Sequence, residues 1–441
     1  MPTIQVSAQA IRQLLPGTPA PLPAAETIAE ARQAALQTVA EVRAGVFLVR
    51  DIQPVRTPGV AAADSPPALM LTLQGEQHAL TITLPGTDAR TAAWLRSGAL
   101  IRLLQGDAGG WRLEPAPPDV PRQTLDSLKA AVLTSALKRW LPVQQPLGSL
   151  LSRAGTLADP ARGSLPGQSP LIRGAWQQLM GSLPSLTSLT RPDSLPAAMQ
   201  YAGLWTEASI GKGDVLPDTF KLRLMDTLVT LARTLNLSPE TFANLFRAGP
   251  APDLPDEVLA LLLPRSAGTK PGHAEAQQAK PDVGQWLQIL ARMLTRVHVN
   301  QLNSLPGPPP DSDAPPPPPV WIIELPYQVD GRAETLSMRV QRKPVDKGPK
   351  GRPALQWQVN LAFPWGQEQA LHACVLYCDG RVSARFWVPD RSTLDKLQAQ
   401  QPMLEAGLRR WGLAVGEISA QEGQPPREET GIRRQYIDTR V

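Results

Sequence analysis

The chain has 441 residues, with 44 Lys and Arg against 39 Asp and Glu, a net charge of +5. This length gives room for two or three domains, and so weak a basic balance permits an acidic partner without demanding nucleic acid. Proline, at 48 residues, is about twice the usual share of roughly 5%, which predicts folded islands joined by irregular chain. No apolar run nears the ~18 residues of a membrane-spanning helix. The start, "MPTIQVSAQAIRQLLPGTPA", lacks a basic region, an apolar core and a cleavage-like site. The expectation is a protein made in the cytoplasm with no cleaved signal.

In chain order, residues 1–43 form an N-terminal segment whose part 24–43, "AAETIAEARQAALQTVAEVR", has helical period and ends before Gly45. Residues 44–115 are β-rich: 46–50, 68–74, 78–84, 99–105 and 111–115 alternate or run apolar. Five short strands predict a small antiparallel barrel or sandwich. Its scarcity of aromatic residues argues against a base-stacking platform. Residues 116–305 read as helical islands, at 123–140, 218–236, 239–247 and 283–303, with Ser238 and Pro239 opening the third. Trp286, Leu290, Met293 and Val297 line one stripe of the last helix, a core face before it is a partner groove. "GSLPSLTSLTRPDSLP" (181–196) reads as low-complexity, irregular chain.

Residues 306–319 hold nine prolines in fourteen positions, a composition that predicts an extended polyproline spacer holding the C-terminal part at a distance. Residues 320–420 then alternate cleanly. Leu336, Met338 and Val340 share a face, as do Trp357, Val359, Leu361 and Phe363; Asp379-Gly380 is a hairpin dipeptide. Val382, Ala384, Phe386 and Val388 face the core, leaving Arg381, Arg385 and Trp387 opposite as candidate partner-binding residues, the Trp–Arg pairing of interface hot spots. A helical stretch follows at 391–411, where Pro402 imposes a kink or a second start, and a last strand follows Gly412. The domain is read as α+β, an antiparallel sheet under one or two helices. Residues 421–441 form a charged tail read as disordered.

The residues show no catalytic, cofactor or metal constellation. His78, His273, His298 and His372 lack metal or triad spacing, and "IGKGD" (210–214) is no phosphate loop. Cys374 and Cys378, four apart on a strand, stand about 13 Å apart, beyond disulfide reach. The reading is a non-enzyme without cofactor. The basic stretch 339–352, "RVQRKPVDKGPKGR", reads as a solvated loop. Together with the β-rich segment it keeps a second class open, a nucleic-acid-binding adaptor, which steep salt dependence would reveal.

Residues 355–419 resemble the C-terminal domain of flagellar hook-length control proteins, the FliK family. Trp357, Val359, Leu361 and Phe363 stand in its first strand, and Arg391, Leu394, Leu404, Leu408, Gly412 and Leu413 in its helix and exit. A second stretch, "MQYAGLWTEASI…LPDTFKLRLM" (199–225), is similar to the middle segment of pseudomonad-type members, with Gly203, Leu204, Glu207, Asp218 and Lys221 in place. Ala202 replaces the usual serine and Trp205 the usual phenylalanine. The resemblance implies a monomeric measuring protein exported through the flagellar type III apparatus. It also implies contact of the N-terminal part with hook and hook-cap subunits. The C-terminal domain would then meet the cytoplasmic domain of the export-gate switch protein, with neither nucleic acid nor membrane insertion involved.

Overall fold

Alternation of buried and half-buried side chains builds the first sheet. In this computed structural model the described residues are 4–6, 46–55, 68–75, 79–84, 95–105, 111–162, 164–211, 218–252, 254–255, 258, 262, 273–305, 318–345, 354–365 and 369–426. The helix expected at 24–43, most of the tract 306–319, residues 346–352 of the basic stretch and the tail beyond 426 lie outside them; residues 339–345 of that stretch, expected as a solvated loop, are instead part of a strand. Two compact units emerge, one within Met1–Ala136 and one joining Leu137–Pro306 to Pro317–Val441.

In the first unit β1 (Ile4–Val6), β2 (Val46–Val55), β3 (Ala68–Gln74), β4 (Ala79–Leu84), β5 (Leu100–Gln105) and β6 (Trp111–Pro115) form one antiparallel sheet in the order β1-β6-β5-β2-β3-β4. The five expected strands are present, and Ile4–Val6 adds a sixth. Phe47, Val49, Leu71, Leu73, Leu80, Ile82, Leu84, Ile101, Leu103 and Leu113 form its buried cluster. These residues recur at every second position, as one buried face requires.

In the second unit, helices surround one end of a larger sheet. They are α2 (Leu147–Ala158), α3 (Leu165–Gln168), α4 (Pro170–Gly181), α5 (Leu186–Leu189), α6 (Leu195–Tyr201), α7 (Thr206–Gly211), α8 (Phe220–Thr234), α9 (Pro239–Asn244) and α10 (His273–Asn303), while α1 (Arg122–Trp140) belongs for the most part to the first unit. The stretch 181–196 is therefore not irregular: α5 and the start of α6 lie in it. Ser185 caps α5, accepting from Ser188 N. Small Ser/Thr caps and Pro at the first helical turn let short helices form where composition suggests disorder. The α10 stripe is core: Trp286, Leu290, Met293 and Val297 are buried with Phe220, Leu224 and Leu228 of α8, and Trp286 Nε1 donates to Ala154 O at 3.2 Å. Ser238 caps α9 as expected, accepting from Thr241 N at 3.1 Å.

The second sheet runs β12-β11-β10-β9-β8-β7, from β7 (Val320–Val329), β8 (Arg332–Val345), β9 (Ala354–Trp365), β10 (Gln369–Cys378), β11 (Arg381–Val388) and β12 (Ala414–Glu422). Its pairings are antiparallel except β11 with β12, which is parallel because α11 (Arg391–Arg410) returns the chain between them. The sheet is thus mixed, where a purely antiparallel one was expected. Pro402 neither ends nor splits α11, which runs as a single helix. Cys374 and Cys378 are both free and buried.

The spacing expected of 306–319 is absent between the pieces it joins: helices α2 and α10 pack directly on β8 and β7. Residues Ile323 to Tyr327 of β7 are consecutively buried, the pattern of a strand covered on both faces.

Candidate interaction site

Strand register sorts the second sheet into two faces. Ile323 pairs with Met338 and Met338 with Leu361, while Val340 pairs with Val359. One face is therefore apolar, carrying Trp357, Val359, Leu361 and Phe363 as expected. Near β7 it is covered by Ala198, Met199, Ala202, Leu204 and Trp205. On β9 it is half-buried, and Trp357 stacks on Trp321 at 6.0 Å between ring centroids.

The opposite face carries Glu324, Gln341, Asn360 and Cys374, all buried. Arg381, Arg385 and Trp387 also lie on it, opposite Cys378, Cys374 and His372. Arg381 and Arg385 are exposed, but Trp387 is 1% exposed, with the Arg385 guanidinium 5.9 Å from its ring centroid. Trp387 is therefore a buried packing residue and not part of an open partner surface. The alternation that placed it outside assumed one buried face, whereas β11 buries Val382, Ala384 and Val388 on one face and Trp387 on the other.

An open apolar surface lies on α11. Asp390 caps its start, accepting from Thr393 N at 2.8 Å, and these bonds hold its carboxyl below the usual carboxylate range. Its end is a Schellman turn: Gly412, at φ +75°, donates to Arg409 O and Leu413 N to Leu408 O. Leu394 is buried, whereas Met403 and Trp411 are 70% and 69% exposed. Between α11 and the strands lies a cavity of about 530 Å³, lined by Phe386, Leu397, Leu404, Leu408, Ile418 and Ala420 among others. The helix covers the sheet at its start and leaves a groove towards its end, rimmed by Met403 and Trp411. Sequence reading placed Leu404 and Leu408 on this helix and did not single out Met403 or Trp411. The exposed side of an amphipathic helix carrying Met and Trp was the available signal. A second cavity, about 610 Å³, opens beside Tyr327, Phe363 and Trp365.

The middle-segment residues converge. Gly203, at φ +87°, turns the chain between α6 and α7. Its carbonyl accepts from Gln301 Nε2 at 2.7 Å and from Thr206 Oγ1 at 2.9 Å. Lys221 Nζ, largely buried, pairs with Glu207 and donates to Gln301 Oε1 at 2.6 Å. The cluster thus ties α7 and α8 to α10 across 80 residues of chain. Asp218 stands apart, in a two-pronged pair with Arg223 at 2.7 and 2.8 Å, which holds its carboxyl low. His298, half-buried beside Trp140 at 5.9 Å, has its pKa lowered by desolvation and by Lys221. These residues support the fold, and none of them lines the groove on α11.

Among the described residues no three His, Cys, Asp or Glu side chains converge to hold a metal, and no helix is long and apolar enough to cross a membrane. Comparison with family models, curated proteins and solved structures finds no match.

Proposed function

We propose that this chain is a non-enzymatic control protein of flagellar hook length, which switches type III export from hook to filament substrates. In this reading the first unit, a barrel- or sandwich-like module, meets hook and hook-cap subunits. The second unit engages the cytoplasmic domain of the export-gate switch protein. The observation that carries the reading is the α11 groove between exposed Met403 and Trp411, within the segment that resembles the hook-length control domain. Exposed Trp and Met at a concave apolar site are the composition of an interface anchor.

The test is hook length by electron microscopy, with swimming scored alongside, in a strain lacking the chain and in one carrying Met403→Ser with Trp411→Ala. Overlong, unregulated hooks with few filaments are expected in both. The two side chains are exposed, so the double variant should keep its fold and accumulate normally. Normal hooks in the strain lacking the chain overturn the functional reading. Normal hooks with the groove variant alone overturn the placement of the contact.

A further inference from the structure

We propose that the helical segment 137–305 is itself the docking partner of the C-terminal sheet. It holds β7–β12 without the chain connection at 306–319, and a buried cluster of Arg296, Asn300 and Glu324 is the latch. The inference does not depend on the functional reading above.

Three independent kinds of contact join the two pieces. The first is apolar: Ile323, Leu325, Tyr327, Leu336 and Met338 of the sheet form one buried cluster with Ala198 and Ala202 of the helical segment. The second is ionic and buried on the other face of β7. Arg296 Nε and Nη2 donate to Glu324 Oε2 and Oε1 at 2.5 and 3.3 Å, and Asn300 Nδ2 donates to Oε2 at 2.9 Å. Arg296 Nη1 also bonds Gln144. The side chains of Arg296 and Glu324 are only 13% and 6% exposed. The third is backbone: Gln328 N donates to Pro184 O at 2.9 Å, which occupies part of the otherwise open edge of β7.

The flanks of the proline tract meet as well, since Ile322 N donates to Ser304 Oγ at 2.9 Å. A fourteen-residue polyproline stretch would span about 43 Å at ~3.1 Å per residue, far more than this junction needs. The connection is therefore longer than the gap it crosses. A sheet separated from the helices would expose the apolar cluster and leave Glu324 on a bare edge strand, a state prone to self-association.

The experiment inserts a site-specific protease recognition sequence between Pro310 and Ala314 of the full chain, cuts it, and follows the fragments by native size-exclusion at roughly micromolar concentration. Both fragments are expected to co-elute at the position of the uncut chain. Their separation would overturn the docking inference. In cut Glu324→Ala the affinity should fall roughly a hundredfold, because truncating one partner strands a buried charge. Uncut Glu324→Ala, measured by circular dichroism, should keep its helical signal, since the tether supplies a high effective concentration. Unchanged affinity in the cut variant would refute the latch.

Discussion

Replacing Gly203 by alanine tests whether the motif residues form one mechanical node. At φ +87° an L-residue costs about 1–2 kcal/mol. The new Cβ would also stand 3.0 Å from Lys221 Cβ and 3.4 Å from Lys221 N, well inside the usual contact of about 3.5–4.0 Å. Lys221 lies in the first turn of α8, and its ammonium is held by Glu207 and Gln301. Relief therefore requires moving the helix start or loosening the cluster. The combined cost should be about 2–4 kcal/mol, against roughly 1–2 for strain alone. Gly412 supplies the control: φ is +75°, yet a Cβ added there would meet nothing within 4 Å. Thermal melts of the full chain by circular dichroism at a helix wavelength should place Gly203→Ala several degrees below Gly412→Ala, at roughly 2–4 °C per kcal/mol. Equal melting temperatures would refute the contact and leave only backbone strain.

Trp286→Ala should cost about 3–5 kcal/mol in the same melts, because the side chain is fully buried and bonds Ala154 O; a loss below about 1 kcal/mol would remove Trp286 from the core. Burial pushes the Tyr201 hydroxyl up to about 12 from 10.0, with a bond to Ser182 opposing it. A phenol whose pKa is raised by folding favours the neutral form, so its contribution is complete below about pH 10 and is lost as pH rises towards about 12. Tyr201→Phe should therefore flatten the fall in stability across roughly pH 10–12, as read by chemical denaturation; an unchanged slope would assign that fall to other groups.

Local physics made much of this protein legible. The strands expected at 46–50, 68–74, 78–84, 99–105 and 111–115 form, the first running on to Val55; the α9 start follows from Ser238 and Pro239, and the hairpin at Asp379-Gly380 from residues that tolerate positive φ, which Asp379 and Gly380 both adopt. What alternation cannot report is how many faces of a strand are covered, since that depends on elements distant in sequence. β7 and β11 are buried on both faces, so Trp387 left the candidate surface although its period was read correctly. Likewise the cluster of Gly203, Glu207, Lys221 and Gln301 joins residues whose types are ordinary one by one; only packing of α7, α8 and α10 gives them a shared role. Composition named the tract at 306–319 a spacer, because proline excludes helix and central strand. Whether its flanks stay apart was decided by the burial of Ile323, Leu325 and Glu324 against α6 and α10, an energy the tract itself does not contain.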